Sequence, residues 1–192
     1  MNKSDNFPIL KFDTSQKWRE WLEVNHMRTD GVWLQLGKKS SGVPTITHAQ
    51  ALDEALCFGW IDGQGKKLDE KSWLVKFTPR RKASMWSKRN RENVMRLMKE
   101  KRMTDHGLKE IENAKHDGRW DGAYDSPKNM TIPEDFLGML HTDKKAESFF
   151  KTLNRSNVYA IAWRLQTAKN HETRNKRIQV ILTMLKEGKK FH

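Results

Sequence analysis

The spacing of apolar positions changes along this chain, and each change predicts an element. Trp18, Trp21 and Leu22 stand at i, i+3 and i+4 behind Asp13 or Thr14, the pattern of a capped amphipathic helix that ends near His26 to Gly31. GVWLQLGKK then alternates Val32, Leu34 and Leu36 with Trp33 and Gln35, which predicts a strand with one face on a core. Thr47 and Gln50 form a capping-box pattern ahead of Ala51, Leu52, Ala55 and Leu56. A second helix is therefore expected to about Phe58, ended by Gly59. WIDGQGKKL and SWLVKFT read as a hairpin turning at Asp69 to Lys71, with Trp73, Val75 and Phe77 on one face and Leu74, Lys76 and Thr78 on the other. Pro79 has no backbone donor and closes the second strand.

Helical spacing returns after Asn90. Val94, Leu97 and Met98 make one stripe, and Leu108 and Ile111 make another behind Thr104 or Asp105 as cap. The polar segment DGRWDGAYDSPKNMTIP follows, and its Trp120 and Tyr124 predict that it is pinned to the body of the protein. Pro133 suits the first turn of a helix carrying Phe136, Leu137 and Leu140. Asp143 caps the next, with Ala146, Phe149, Phe150 and Leu153 inward; Val158, Ile161, Ala162 and Leu165 mark a third, and Ile178, Ile181, Leu182 and Leu185 a fourth before Gly188. The expected fold is α+β. Residues 1–125 hold a small antiparallel sheet of about three strands covered by helices, and residues 126–192 an all-helical subdomain.

Composition adds a tension to this picture. The apolar fraction is 36% and the charged fraction 32%, a balance that leans towards disorder unless the apolar residues are well placed. Eight Trp and eight Phe at regular spacings place them well. The single cysteine excludes an internal disulfide framework, and the seven histidines lack any metal-binding spacing, so no metal or cofactor is expected. The N-terminal stretch has no long apolar region and no window approaches the roughly 20 apolar residues of a membrane helix. A cytoplasmic protein without membrane insertion is expected.

Charge is concentrated. Of a net +13, residues 71–102 carry twelve Lys/Arg against two Glu, and residues 163–190 carry eight against two. Such segments attract a small anion, an acidic partner or nucleic acid.

Five motifs carry a resemblance: EALCFGWIDG at 54–63, FTPRRKASMWSKRN at 77–90, DGRW-x-x-AY at 117–124, PEDF at 133–136 and AKNHETRNKRI at 168–178. Together they make the chain, beyond about residue 15, resemble the YdeI/OmpD-associated family, also labelled bacteriocin-protection proteins. The resemblance implies a mixed α/β N-terminal part, a helical C-terminal part and a role in stress or bacteriocin protection. It supplies no catalytic residues.

The strongest chemical candidate is the strand-to-helix stretch from Thr78 to Asn90. Arg80, Arg81 and Lys82, then Ser84, Trp86, Ser87 and Asn90, can gather guanidinium forks, hydroxyls and helix N-terminal amides on one anion, with Trp60 and Asp62 nearby. The structural alternative is that Ser87 or Asn90 caps a helix, Trp86 packs on the core and the arginines are solvated. A nucleic-acid reading would stack bases on Trp73 or Trp86 and draw on Lys88, Arg89, Arg91, Arg174, Lys176 and Arg177, although Trp73 shares its face with core positions. An enzyme acting on a small anionic substrate has only Asp62 as acid or base. The glycines of GWIDGQG have the wrong order for a dinucleotide fingerprint and are expected to serve backbone geometry. Cys57 and His48 lie at opposite ends of one predicted helix, too far apart to form a thiolate–imidazole pair. A non-enzymatic binding protein with a basic anion-binding cleft is the expectation that results.

Overall fold

The computed structural model describes residues 7–126 and 129–191. Residues 1–6, part of the N-terminal stretch read above, lie outside the described residues, as do Pro127 and Lys128 of the polar segment, and His192. The chain divides into two compact units: one runs to Ser84 and includes Asn90–Gly118, and the other joins Met85–Arg89 to everything from Arg119 onward.

The first unit contains β1 (Ile9–Leu10), α1 (Ser15–Asn25), β2 (Val32–Gly37), α2 (His48–Cys57), β3 (Trp60–Lys67), β4 (Ser72–Pro79), most of α3 (Lys88–Lys99) and α4 (Asp105–His116). Its sheet has the order β1-β2-β4-β3, with β1 parallel to β2 and the other pairs antiparallel. The described sheet is thus mixed and four-stranded, where three antiparallel strands were expected. At two residues, β1 is too short to display an alternation.

The hairpin between β3 and β4 turns where its residues predict. Asp69 Oδ1 accepts from the backbone N–H of Lys71 and of Ser72, both at 2.7 Å. The pairing shifts between Asp62 and Gly65. Gly65 lies so close to Trp73 that an added Cβ would meet the indole at 3.1 Å. The capping box at the head of α2 is complete, and Gly59 follows that helix at φ +74°.

Aromatic rings fill the core under the sheet. Trp18 meets Phe77 at 5.8 Å and Trp60 at 6.5 Å between ring centroids, and its Nε1 donates to the Ala51 carbonyl at 3.0 Å. On α3, Val94 and Leu97 are buried as expected, but Met98 is 43% exposed. α4 approaches α2 closely because residue 107 is glycine. A Cβ there would lie 2.3 Å from the Cys57 carbonyl oxygen, which also accepts from Thr104 Oγ1 at 2.6 Å.

The second unit contains α5 (Glu134–His141), α6 (Lys144–Phe150), α7 (Arg155–Gln166) and α8 (His171–Lys186). Asp143, Asn154 and Asn170 cap the last three, each accepting from first-turn amides. Phe136, Leu140, Ile161, Leu165, Ile178, Ile181 and Leu185 form one apolar cluster. Met85–Arg89 joins this unit through the backbone: Tyr124 N–H donates to the Trp86 carbonyl at 3.0 Å, and Lys88 N–H donates to the Tyr124 carbonyl at 2.9 Å. Trp86 and Trp120 pack edge to face at 5.2 Å. The polar segment is therefore pinned through Trp120 and Tyr124, as those aromatics predict. No helix among the described residues is long and apolar enough to cross a membrane.

Candidate functional site

Two arginines of α8 stand at i and i+3, and both reach back to the end of α7. Arg174 Nη1 donates to the Leu165 carbonyl at 2.7 Å, and Arg177 Nη1 donates to the Arg164 carbonyl at 2.5 Å and to Thr167 Oγ1 at 3.2 Å. The last carbonyls of a helix have no partner within it, so these bonds cap α7 from its neighbour. Arg174 is also ion-paired. Its Nε and Nη2 clamp the two Asp135 oxygens at 2.7 and 2.8 Å, and that hydrogen-bonded fork holds the Asp135 carboxyl below the usual carboxylate range.

Arg177 has no such clamp. With Arg164 it lines a cavity of about 380 Å³ between α7 and α8. Its apolar walls are Trp163, Val180, Ile181 and Phe191, and Thr173 and Lys176 complete the lining. Trp163 is braced by Tyr124, edge to face at 6.0 Å, so the segment tied to Trp86 also sets one wall of the pocket. Phe191 is held on two sides: the Arg164 guanidinium lies 3.9 Å from its ring centroid, and its backbone N–H donates to Asn157 Oδ1 at 3.1 Å.

The charge around this cavity is one-sided. Lys176 pairs with Glu172 at 2.7 Å, and Glu187 pairs with Lys189 at 2.7 Å, which accounts for both glutamates of residues 163–190. Among the described residues, neither Arg164 nor Arg177 has a carboxylate within ion-pair reach. Among the described residues, Arg164 donates to the Ala160 carbonyl of its own helix, at 3.3 Å.

The residues singled out from sequence fall elsewhere. Arg80 and Ser84 belong to the first unit and Trp86 and Ser87 to the second. Arg80, Trp86 and Asn90 are buried at 8%, 1% and 9% exposure. Arg81 and Lys82 are exposed on a turn that Ser84 closes, its Oγ accepting from Arg81 N–H at 3.0 Å. Trp60 is fully buried, its Nε1 donating to the His26 carbonyl at 3.0 Å. Asp62 pairs with His48 Nε2 at 3.0 Å, a partnership that the linear sequence did not suggest. Lys88 pairs with Asp125 at 2.9 Å; Arg89 is exposed and Arg91 half-buried. Cys57 is buried, and burial with the nearby Glu54 charge pushes its thiol up to about 11.

Of the nominated residues, the cavity brings together Lys176 and Arg177. Trp163, Arg164, Thr173, Val180 and Phe191 were missed. The shortage of acids in residues 163–190 marked the basic segment that contains Arg164, and nothing in the sequence singled out Trp163, Val180 or Phe191.

An α+β unit with a four-stranded sheet, joined to a helical unit with a basic pocket, is the architecture that any family assignment has to fit. Residues 10–110 match the family described as a domain of unknown function, DUF8412, and as this covers more than half of the 192 residues, the chain belongs to that family. Residues 129–188 match the family described as Bacteriocin-protection, YdeI or OmpD-Associated, a span that holds all four helices of the second unit. The second match contains PEDF and AKNHETRNKRI, whereas EALCFGWIDG and FTPRRKASMWSKRN lie in the first. The resemblance read over nearly the whole chain is therefore divided between two families. No curated protein and no solved structure matches the chain.

Proposed function

We propose that this protein is a non-enzymatic binding protein whose ligand is anionic, and that the ligand sits between α7 and α8. One observation carries the reading: Arg164 and Arg177 face one apolar-walled cavity, and neither is neutralised by a carboxylate among the described residues. A bound anion can accept from both guanidinium groups at once while its remainder meets the apolar walls. Guanidinium groups stay protonated at any ordinary pH and cannot trade protons. The lining has no histidine, cysteine or carboxylate among the described residues. Both points favour holding a ligand over transforming it, and protection in the sense of the family description would then rest on capture.

Thermal unfolding in rising inorganic phosphate tests this. Phosphate also stabilises proteins without binding, so the specific part is the difference between wild type and the paired variant Arg164→Gln with Arg177→Gln. A larger rise in Tm for wild type is expected. Equal rises overturn the reading. A rise that is undiminished in the pocket variant but smaller in Arg81→Ala with Lys82→Ala moves the anion to the basic turn after β4.

A further inference from the structure

We infer that the α7–α8 pocket takes an amphipathic anion: one oxyanion head, a carboxylate or phosphate monoester, on a compact aromatic body. This rests on the anion-binding reading and adds the rest of the ligand. An inorganic anion would satisfy the arginines but leave Trp163, Val180 and Phe191 facing water. A ligand that covers these walls gains apolar burial as well as the charge contact. The guanidinium fork matches the two-oxygen edge of a carboxylate or phosphate.

The aromatic body follows from the walls. Trp163 is fixed by Tyr124, and Phe191 by the Arg164 guanidinium and the Asn157 side chain, so two rings stand ordered before any ligand arrives. Ordered rings favour another ring, edge to face or offset, with little loss of freedom on binding. Size sets an upper bound. The cavity of about 380 Å³ is near the low end of the range of small-molecule sites, which suits one or two fused rings with a single head.

Isothermal titration calorimetry on the full chain decides this with five probes: 2-naphthoate, 2-naphthyl phosphate, uncharged 2-naphthamide, acetate and inorganic phosphate. At least one naphthyl anion is expected to bind about tenfold or more tighter than its bare head and than the amide. Whether carboxylate or phosphate prevails identifies the head. Arg164→Gln and Val180→Glu should each weaken that probe about tenfold or more. Val180 is 58% exposed on α8, so its variant adds a carboxylate beside the cavity without opening the core. Bare heads binding as tightly as naphthyl anions, and lost in Arg164→Gln, overturn the amphipathic class and leave the anion reading intact. No anion binding to wild type overturns both. Naphthyl binding unchanged in both variants also overturns the inference.

Discussion

Each unit of this protein contains a pair of arginines that converge, and the pairs differ in what they meet. In the first unit, Arg19 Nη1 and Arg102 Nη2 reach opposite oxygens of Glu54 at 3.0 and 2.7 Å, and the Glu54 side chain is only 6% exposed. Arg102 also pairs with Glu100 at 3.0 Å, and Arg19 donates to the Arg102 carbonyl at 3.1 Å. That cluster is internally complete. In the second unit, Arg164 and Arg177 converge on a cavity and meet no carboxylate among the described residues. The contrast teaches that a basic residue becomes informative about function through its missing acid rather than through its charge.

The sharpest way to break the comparison is to remove the acid where it is present. Glu54→Ala leaves Arg19 and Arg102 beside α2 without their shared partner, and should cost about 3 kcal/mol in urea denaturation. This is the low end for severing a buried pair, because the arginines are 23% and 35% exposed and can turn to water. A cost near zero would mean that the two pairs are equivalent and that the first is also poised for an external anion. Cys57 offers a second gauge of the same region. With its thiol pushed from 9.0 to about 11, native wild type should react with iodoacetamide at pH 8 at least about a hundredfold more slowly than the urea-unfolded chain. Removal of Glu54, one cause of the rise, should speed the native reaction.

The local signals were readable where a residue acts on its own neighbours. Thr47 with Gln50 made a capping box, Asp69 turned the hairpin and Asp143 capped a helix, each because the bonding partner lies within a few residues. Trp60 and Trp86 misled as cleft residues because type and spacing alone do not distinguish a ring in a core from a ring beside a ligand. Arg174 and Arg177 likewise looked like one basic face. Only the tertiary structure shows that Arg174 is filled by Asp135, 39 residues away, and that Arg177 caps α7. Arg164 could not be singled out because what matters is that no carboxylate among the described residues, spread over several elements, comes within reach of it.

Acid separates the clamped arginine from the unclamped ones. Asp135 has its carboxyl held below the ordinary value of 3.8, first by the Arg174 fork. A carboxyl whose folded-state pKa is depressed contributes stability that is complete above the unfolded pKa and is lost as pH falls through the folded one. Asp135→Asn should therefore lower Tm at pH 6 to 7, and the gap to wild type should close as pH drops below 3.8. The side chain is 50% exposed, so solvent screening holds the effect to about 1 kcal/mol or less. A gap that stays constant through the acid range would show that the Arg174 fork does not stabilise the helical unit.

The smallest expected change is the most telling one. Arg164→Gln removes a contact with the Phe191 ring, a gain of about 0.5–1 kcal/mol at a partly exposed site, and a hydrogen bond to a carbonyl within its own helix. It also removes one of two like charges from the cavity, which acts in the opposite direction. The net effect on urea stability in dilute buffer should lie within about 0.5 kcal/mol of zero, against the loss of about 3 kcal/mol at Glu54. Added 2-naphthoate or 2-naphthyl phosphate should then stabilise wild type but not the variant. A residue that barely contributes to folding yet controls the response to an anion is retained for the ligand; a large loss in dilute buffer would return Arg164 to the structural class that Arg19 and Arg102 define.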